Sequence, residues 1–371
     1  MGLNKIRRLF FLAAWLCCLP LHAQRLEDNW MAGFGDVRGL WERSDTVTVT
    51  LIGDVMMHAR QLQYDCTAFL EGICPLLQTS SLAVANMEFT LAGEPYTGYP
   101  SFSAPDRYAE YVRDCGVDVF LLANNHILDK GNAGLLRTLG VYRAMKGVYY
   151  TGVAEDDAEE AATHPLILAA GGIRIAFVNA TYGTNHPGGR GWPKVNRLAE
   201  ADLVPAIDRA RRAGADFVIA MPHWGEEYAL RHNAAQERTA RMLAEAGADV
   251  VVGAHPHVVQ DSCTVVTNRG RRVPVFYSLG NAVSNMSAVN TRLELAVTLR
   301  FVNRPWNRPE MLPPRVHFLW CTLPGKRTDN YGTILVRDAL GHRDEWLQPS
   351  DYDNMVSTWE RVKSVTGIRE E

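Results

Sequence analysis

Six short apolar runs in this chain each empty into a polar cluster, and that repeated punctuation constrains the fold more than any other feature. Thr46 to Ile52 alternates β-branched residues and ends in Gly53-Asp54, the pattern of a strand that delivers a carboxylate at its carboxyl end. Leu82 to Ala85 delivers Asn86-Met87-Glu88, and Val117 to Ala123 delivers Asn124-Asn125-His126. Phe217 to Ala220 leads to Pro222-His223-Trp224-Gly225, Val250 to Val252 to Gly253-Ala254-His255-Pro256-His257, and Val275 to Leu279 to Gly280-Asn281. Gly253 reads as the hinge that turns the backbone sharply after its strand. Helical periodicity fills the gaps, from about Ala133 to Met145, Ala199 to Arg212 and Ala234 to Glu245, with Gly214 and Gly247 as stops. Leu166 to Ala170 and Ile173 to Val178 flank Gly171-Gly172 as a hairpin. Strands alternating with helices predict a layered α/β fold, whose ligands lie outside the carboxyl ends of the strands. From Leu293 the pattern changes to alternating runs, Leu293 to Val302 and Val316 to Leu323, around a Pro-rich loop at Pro305 to Pro314. These read as extra strands or an edge appendage, followed by a helix over Asp351 to Val365.

The N-terminus predicts the compartment. Lys5, Arg7 and Arg8 precede an apolar run from Leu9 to Leu21, and Ala23 offers a small residue for cleavage before Gln24. Residues 1–23 therefore read as a secretory signal peptide, too short and Pro-interrupted for a membrane span. Residues 24–45 read as a polar arm. The expected mature protein is soluble and lies outside the cytoplasm, touching membrane only through the signal segment if that stays uncleaved. Loss of Lys5, Arg7 and Arg8 takes the formal charge from −3 to −6, and a mildly acidic chain without a Lys/Arg cluster carries no footprint for nucleic acid. Cleavage leaves Cys66, Cys74, Cys115, Cys263 and Cys321. The odd number leaves at least one free; in an oxidising compartment the expected local disulfide is Cys66–Cys74, and the alternative is five scattered buried thiols.

The strand ends collect Asp54, Glu88, Asn125, His126, His223, His255 and His257, and four of the chain's 11 histidines are among them. Carboxylates, imidazoles and one amide oxygen without a thiolate suit Mn, Zn or Fe. One or two such ions are expected, and a pair roughly 3.5–4 Å apart can clamp an attacking hydroxide and a developing oxyanion. Glu88 is the natural bridge. His126, beside Asn125, is placed to protonate a leaving group. Glu226 and Glu227 read as solvated charges, and His186 as part of a glycine-rich surface loop.

The motifs Gly53-Asp54-Val55-Met56-Met57, Asn86-Met87-Glu88, Ala123-Asn124-Asn125-His126 with Asp129 and Gly131, Pro222-His223-Trp224-Gly225, Gly253-Ala254-His255-Pro256-His257 and Tyr277-Ser278-Leu279-Gly280-Asn281 resemble the bacterial capsule-synthesis CapA family. The resemblance spans roughly Thr46 to Asn285. That family is associated with poly-gamma-glutamate production and is similar to the calcineurin-like metallophosphatases. The resemblance implies a four-layer sandwich over residues 46–290, two mixed sheets flanked by helices, with residues 291–371 adding C-terminal strands and a helix to the same domain. It implies one ion at Asp54, Glu88 and His257, and a second at Glu88, Asn125, His223 and His255. Metallophosphatases carry a histidine where this chain has Met56; the CapA-type pattern has methionine there, and His58 follows two residues later. The implied protein is periplasmic or on the cell surface and handles an acidic surface polymer or its precursor, with other capsule-assembly proteins as partners. It is either a metal-dependent hydrolase of phosphoester or gamma-glutamyl bonds, or a non-catalytic assembly protein with a structural or vestigial metal site. A secreted nucleotidase is the third possibility.

Overall fold

The computed structural model describes residues 46–303 and 308–370; the expected signal segment and arm lie outside the described residues. In chain order the strands are β1 (Thr46–Val55), β2 (Leu82–Met87), β3 (Val119–Leu121), β4 (Tyr149–Thr151), β5 (Val153–Ala154), β6 (Leu166–Ala170), β7 (Ile173–Thr181), β8 (Lys194–Val195), β9 (Phe217–His223), β10 (Val250–Val252), β11 (Ser262–Val266), β12 (Arg272–Phe276), β13 (Leu293–Val302), β14 (Glu310–Thr322) and β15 (Gly332–Leu335). The helices are α1 (Cys74–Gln78), α2 (Asp106–Asp114), α3 (Gly131–Ala144), α4 (Asp157–Thr163), α5 (Glu200–Arg212), α6 (Ala234–Ala246), α7 (Val336–Ala339) and α8 (Pro349–Thr366).

The strands make a seven-stranded sheet in the order β15-β14-β13-β1-β2-β3-β4 and a six-stranded sheet in the order β11-β12-β10-β9-β7-β6, while β5 and β8 pair separately. Parallel pairing runs through β1, β2, β3 and β4 and through β7, β9, β10 and β12. Both sheets are mixed, because β13 joins β1, and β11 joins β12, antiparallel. Alternation along β1 explains the layering. Val47, Val49 and Leu51 face a core shared with Phe177, Ile219 and Val250 of the other sheet. Ile52, with Ala85 and Phe120, faces the opposite side, against Tyr108 of α2 and Leu135 and Leu139 of α3. Ala176, Val218 and Val251 of the second sheet pack on Leu203 and Ile207 of α5 and Leu243 of α6. The result is helix, sheet, sheet, helix: the four-layer sandwich. Burying each such side chain is worth about 1.5–3 kcal/mol, so the apolar layers fix how the strand ends face one another.

Local chemistry sets the boundaries. Asn233 and Gln236 close a capping box at the start of α6, and Gly247 ends it at φ 123°. The C-terminal strands are no appendage: β13 lies against β1 inside the larger sheet, and Thr50 Oγ1 is 2.8 Å from Thr298 Oγ1 across that pair. Pro313 and Pro314, expected in a loop, lie inside β14. They are tolerated because β15 pairs only with Leu319 to Thr322, leaving that end of β14 at an edge, and because the β13–β14 register slips between Thr298 and Arg300 opposite them. Among the described residues no helix is long and apolar enough to cross a membrane.

The expected Cys66–Cys74 disulfide is not formed; Cys74 pairs with Cys115, and Cys66, Cys263 and Cys321 are free. Cys74 opens α1 and Cys115 caps the end of α2, two ends that the fold brings to a Cα separation of 4.7 Å. Nearness in sequence was a poor guide to nearness in space.

His164 is buried at 2% exposure with neither ring nitrogen partnered. Burial lowers its pKa from 6.5 to about 3, and the charges of Arg209 and Lys194 push the same way. The unfolded chain therefore takes up a proton below about pH 6.5 that the folded chain refuses, and stability is lost as pH falls from there toward 3. Chemical denaturation across this range should show His164→Leu flattening the acid loss, by up to about 1.4 kcal/mol per pH unit. An unchanged slope would show that this imidazole is not the group concerned.

Candidate metal centre

Five strands deliver their polar residues to one place. Asp54 lies one residue before the end of β1, Glu88 follows β2, Asn125 and His126 follow β3, His223 ends β9, and His255 and His257 follow β10. All seven are buried, and Asp54 and Glu88 have no exposed surface at all. Two groups of potential ligand atoms lie within 4.8 Å of one another: Asp54, Glu88 and His223, and Glu88, His255 and His257. Glu88 belongs to both, as a bridging carboxylate would. Proximity divides the imidazoles differently from the expected ligand sets, placing His255 with His257. Asn125 stays with His223, its Oδ1 2.7 Å from Nε2, and Asp54 Oδ2 also lies 3.4 Å from His257 Nδ1.

Neither oxygen of Glu88 has a hydrogen-bond partner, and Nδ1 of His255 has none. Buried polar atoms left so are costly unless something meets them. Donors that share an ion bound at about 2.0–2.2 Å sit roughly 3–4 Å apart. Glu88 Oε1 is 3.7 Å from His223 Nε2 and 3.9 Å from His257 Nε2. The donor set therefore fits a divalent cation of the borderline-hard kind.

Neighbours orient the donors. Asn86 Nδ2 donates to Asp54 Oδ1 at 2.7 Å and lies 3.4 Å from His223 Nδ1. The amide of His255 donates to Asp54 Oδ2 at 3.2 Å, and Asn281 Oδ1 is 2.9 Å from His257 Nδ1. His126 Nδ1 lies 2.7 Å from Asp129 Oδ2, whose carboxylate also accepts from the Phe102 amide. The side chain of Asn185 reaches the same imidazole. His126 is thus held beside the ligand cluster by a buried carboxylate, in the arrangement of an oriented proton carrier.

Electrostatics without an ion are unfavourable, which supports the same reading. Burial, then the charge of Asp54, raises Glu88 well above the usual carboxylate range. Burial lowers His223 far below its ordinary value and His255 to about 3, with neighbouring imidazoles adding to both. Burial opposes the charged form of His257 too, but the hydrogen bond and charge of Asp54 outweigh it and raise this pKa. A divalent ion reverses the penalty on the carboxylates and favours the neutral form that burial already imposes on His223 and His255.

Met56 is buried in the helix-side core. His58 is bound to Gln61 through both its amide and Nδ1, and packs edge-on to Phe102. It stays outside both ligand groups; burial, opposed by the Gln61 hydrogen bond and helped by the nearby His257 and His126, lowers its pKa to about 4. Gly253 is required for a different reason than a hinge: a Cβ there would meet Tyr277 O at 2.2 Å and Trp224 Nε1 at 2.3 Å. The left-handed positions are His255 and His257, at φ 101° and 58°, the kind of backbone strain that gathers at functional sites. Glu226, Glu227 and His186 are exposed, as expected. Sequence reasoning passed over Tyr182, which packs 4.7 Å from the His255 ring, Tyr228, 6.3 Å from the His257 ring, and Asn185. They come from loops with no periodic signal.

Residues 48–286 match the family described as bacterial capsule synthesis protein PGA_cap. The chain belongs to that family. Two relatives are similar: the capsule biosynthesis protein CapA of Bacillus anthracis, 29% identical over 67% of this chain and 62% of its own length, and the PGA biosynthesis protein CapA of Bacillus subtilis, 26% identical over 74% of this chain and 72% of its own. This chain thus spans less than two thirds of the first relative. Among solved structures, the NAD nucleotidase of Haemophilus influenzae aligns with a TM-score of 0.49 at 14% identity, over 86% of this chain and 63% of that one. A 5'-nucleotidase precursor from Thermus thermophilus gives 0.48 at 14%, over 86% and 59%.

Proposed function

We propose that this PGA_cap protein is an exported, metal-dependent hydrolase acting in the assembly or release of an acidic extracellular polymer, on a phosphoester or gamma-glutamyl bond. The observation that carries the reading is the His126–Asp129 pair. A site that only holds an ion needs no buried, carboxylate-oriented imidazole beside its ligands, whereas bond cleavage needs a proton for the leaving group. Bound divalent ions would supply Lewis acidity and lower the pKa of water. Glu88, Asp54, His223, His255 and His257, with Asn125, would hold them, and Asn86 and Asn281 would keep the donors aimed. His126 delivers or accepts the proton at the edge of the cluster, and Asn185 covers that edge from its loop. Polymer precursor and other capsule-assembly proteins are the proposed partners. The proposed location is the periplasm or cell surface, a compartment in which the Cys74–Cys115 disulfide persists.

Met56 favours a second reading, a non-catalytic assembly protein, because its buried side chain gives the Asp54 end of the site no imidazole at that position. Purified protein supplied with Mn or Zn should turn over phosphodiesters or gamma-glutamyl peptides and lose that turnover with chelator. Stoichiometric bound metal with no turnover on either class, or on nucleotides, would select the assembly role.

A further inference from the structure

The β1–β13 ladder runs from Thr46↔Val302 to Leu51↔Val297 and stops there, while the β1–β2 register slips between Ile52 and Asp54. Gly53 sits at this irregularity, one residue before the first carboxylate of the metal centre, and its N–H is left without a strand partner. The carboxyl of Glu294, on β13, takes that place: Oε1 accepts from the Gly53 amide at 2.5 Å. A Cβ at Gly53 would lie 3.3 Å from the same oxygen and 2.0 Å from Gly280 O, so the residue can only be glycine. On the other side of the peptide, the Asp54 amide donates to Gly280 O at 2.9 Å.

We infer that Glu294 is a positioning residue for Asp54, holding the bulge of β1 in the one conformation that aims the Asp54 carboxylate into the ligand cluster. Glu294 has no exposed surface, and its Oε2 has no partner. A buried carboxyl with an orphaned oxygen is a costly way to satisfy one amide, and an uninterrupted ladder would have done so cheaply. The cost is tied to the bulge. Leu293 and Leu295, its neighbours in β13, pack into the core between the sheets, and Glu294 alternates to the other face, under the turn that carries Asp54. Burial keeps the acid well above its usual range, with Gly53 opposing and the Asp54 charge adding to the shift. The Gly53 amide needs only an oxygen acceptor at this position, and a carboxamide also offers one.

This inference rests on the metal-centre reading, and the test separates the two. Mn or Zn titration of the full chain should show Glu294→Gln within about threefold of the wild type, and Glu294→Leu weaker by roughly 10–100-fold, the range for residues that orient ligands. Metal-free Glu294→Leu should still unfold cooperatively near the wild-type temperature, and its Gly53 and Asp54 amides should exchange hydrogen faster than in wild type or Glu294→Gln. Wild-type metal affinity and slow exchange in Glu294→Leu would overturn the role, as would a tenfold loss in Glu294→Gln. If Glu294→Leu does not fold, the Glu294→Gln result decides. A wild type that binds no metal sinks the metal centre instead, and the exchange comparison still tests whether Glu294 holds the turn.

Discussion

Glu88→Gln is expected to strip the protein of its divalent metal and, in the metal-free state, to leave it at least as stable as the wild type. Most changes at a fully buried residue cost stability. Here the wild-type side chain is a carboxyl whose two oxygens have no partner and which lies beside Asp54. The folded chain raises the Glu88 pKa, so its contribution to stability is full below the unfolded value and lost as pH rises through the folded one. Removing the titrating group should therefore help most toward neutral and alkaline pH, by about 1–3 kcal/mol, the cost of an unmet buried polar group. With metal present the order inverts, because the wild type gains the binding free energy and the variant does not. Metal affinity should fall by more than the roughly 10–100-fold that loss of a merely supporting residue brings. Thermal unfolding with and without chelator checks both halves. A variant that retains metal, or that is destabilised even when metal-free, would remove Glu88 from the bridge.

His126→Ala should separate chemistry from binding. The imidazole lies outside both groups of ligand atoms and is tied to Asp129, so the variant should keep its metal content. Turnover should drop about 10²–10⁴-fold, the usual contribution of a positioned proton donor or acceptor. Asp129→Asn should give a smaller loss through disorientation of the same ring. If His126→Ala loses metal in step with activity, the residue is a ligand and the proton-transfer role fails.

The strand-end pattern made much of this legible before any coordinates. Asp54, Glu88, Asn125, His126, His223, His255 and His257 converge as expected because parallel strands share a direction, so each apolar run that ends in a polar cluster sends it to the same rim. What remained hidden depended on contacts between distant segments. β13 looked peripheral because its place beside β1 is set by pairing across more than two hundred residues of chain, which no local pattern reports. Pro313 and Pro314 read as loop because the free edge that tolerates them exists only once β15 is seen to stop short. The Cys74–Cys115 pair needed the relative placement of α1 and α2. Glu294 lies in the alternating run Leu293 to Val302 with no local signal to single it out, and its meaning appears only opposite the slip at Gly53.

The central claim is that Glu88 shares a cation with the imidazoles around it. Anomalous diffraction at the metal edge from crystals of Mn- or Zn-loaded protein tests it directly. The predicted result is one or two peaks within coordination distance of a Glu88 oxygen, flanked by His223, His255 or His257. Well-ordered density for these side chains with no anomalous peak among them, in saturating metal, would contradict the account.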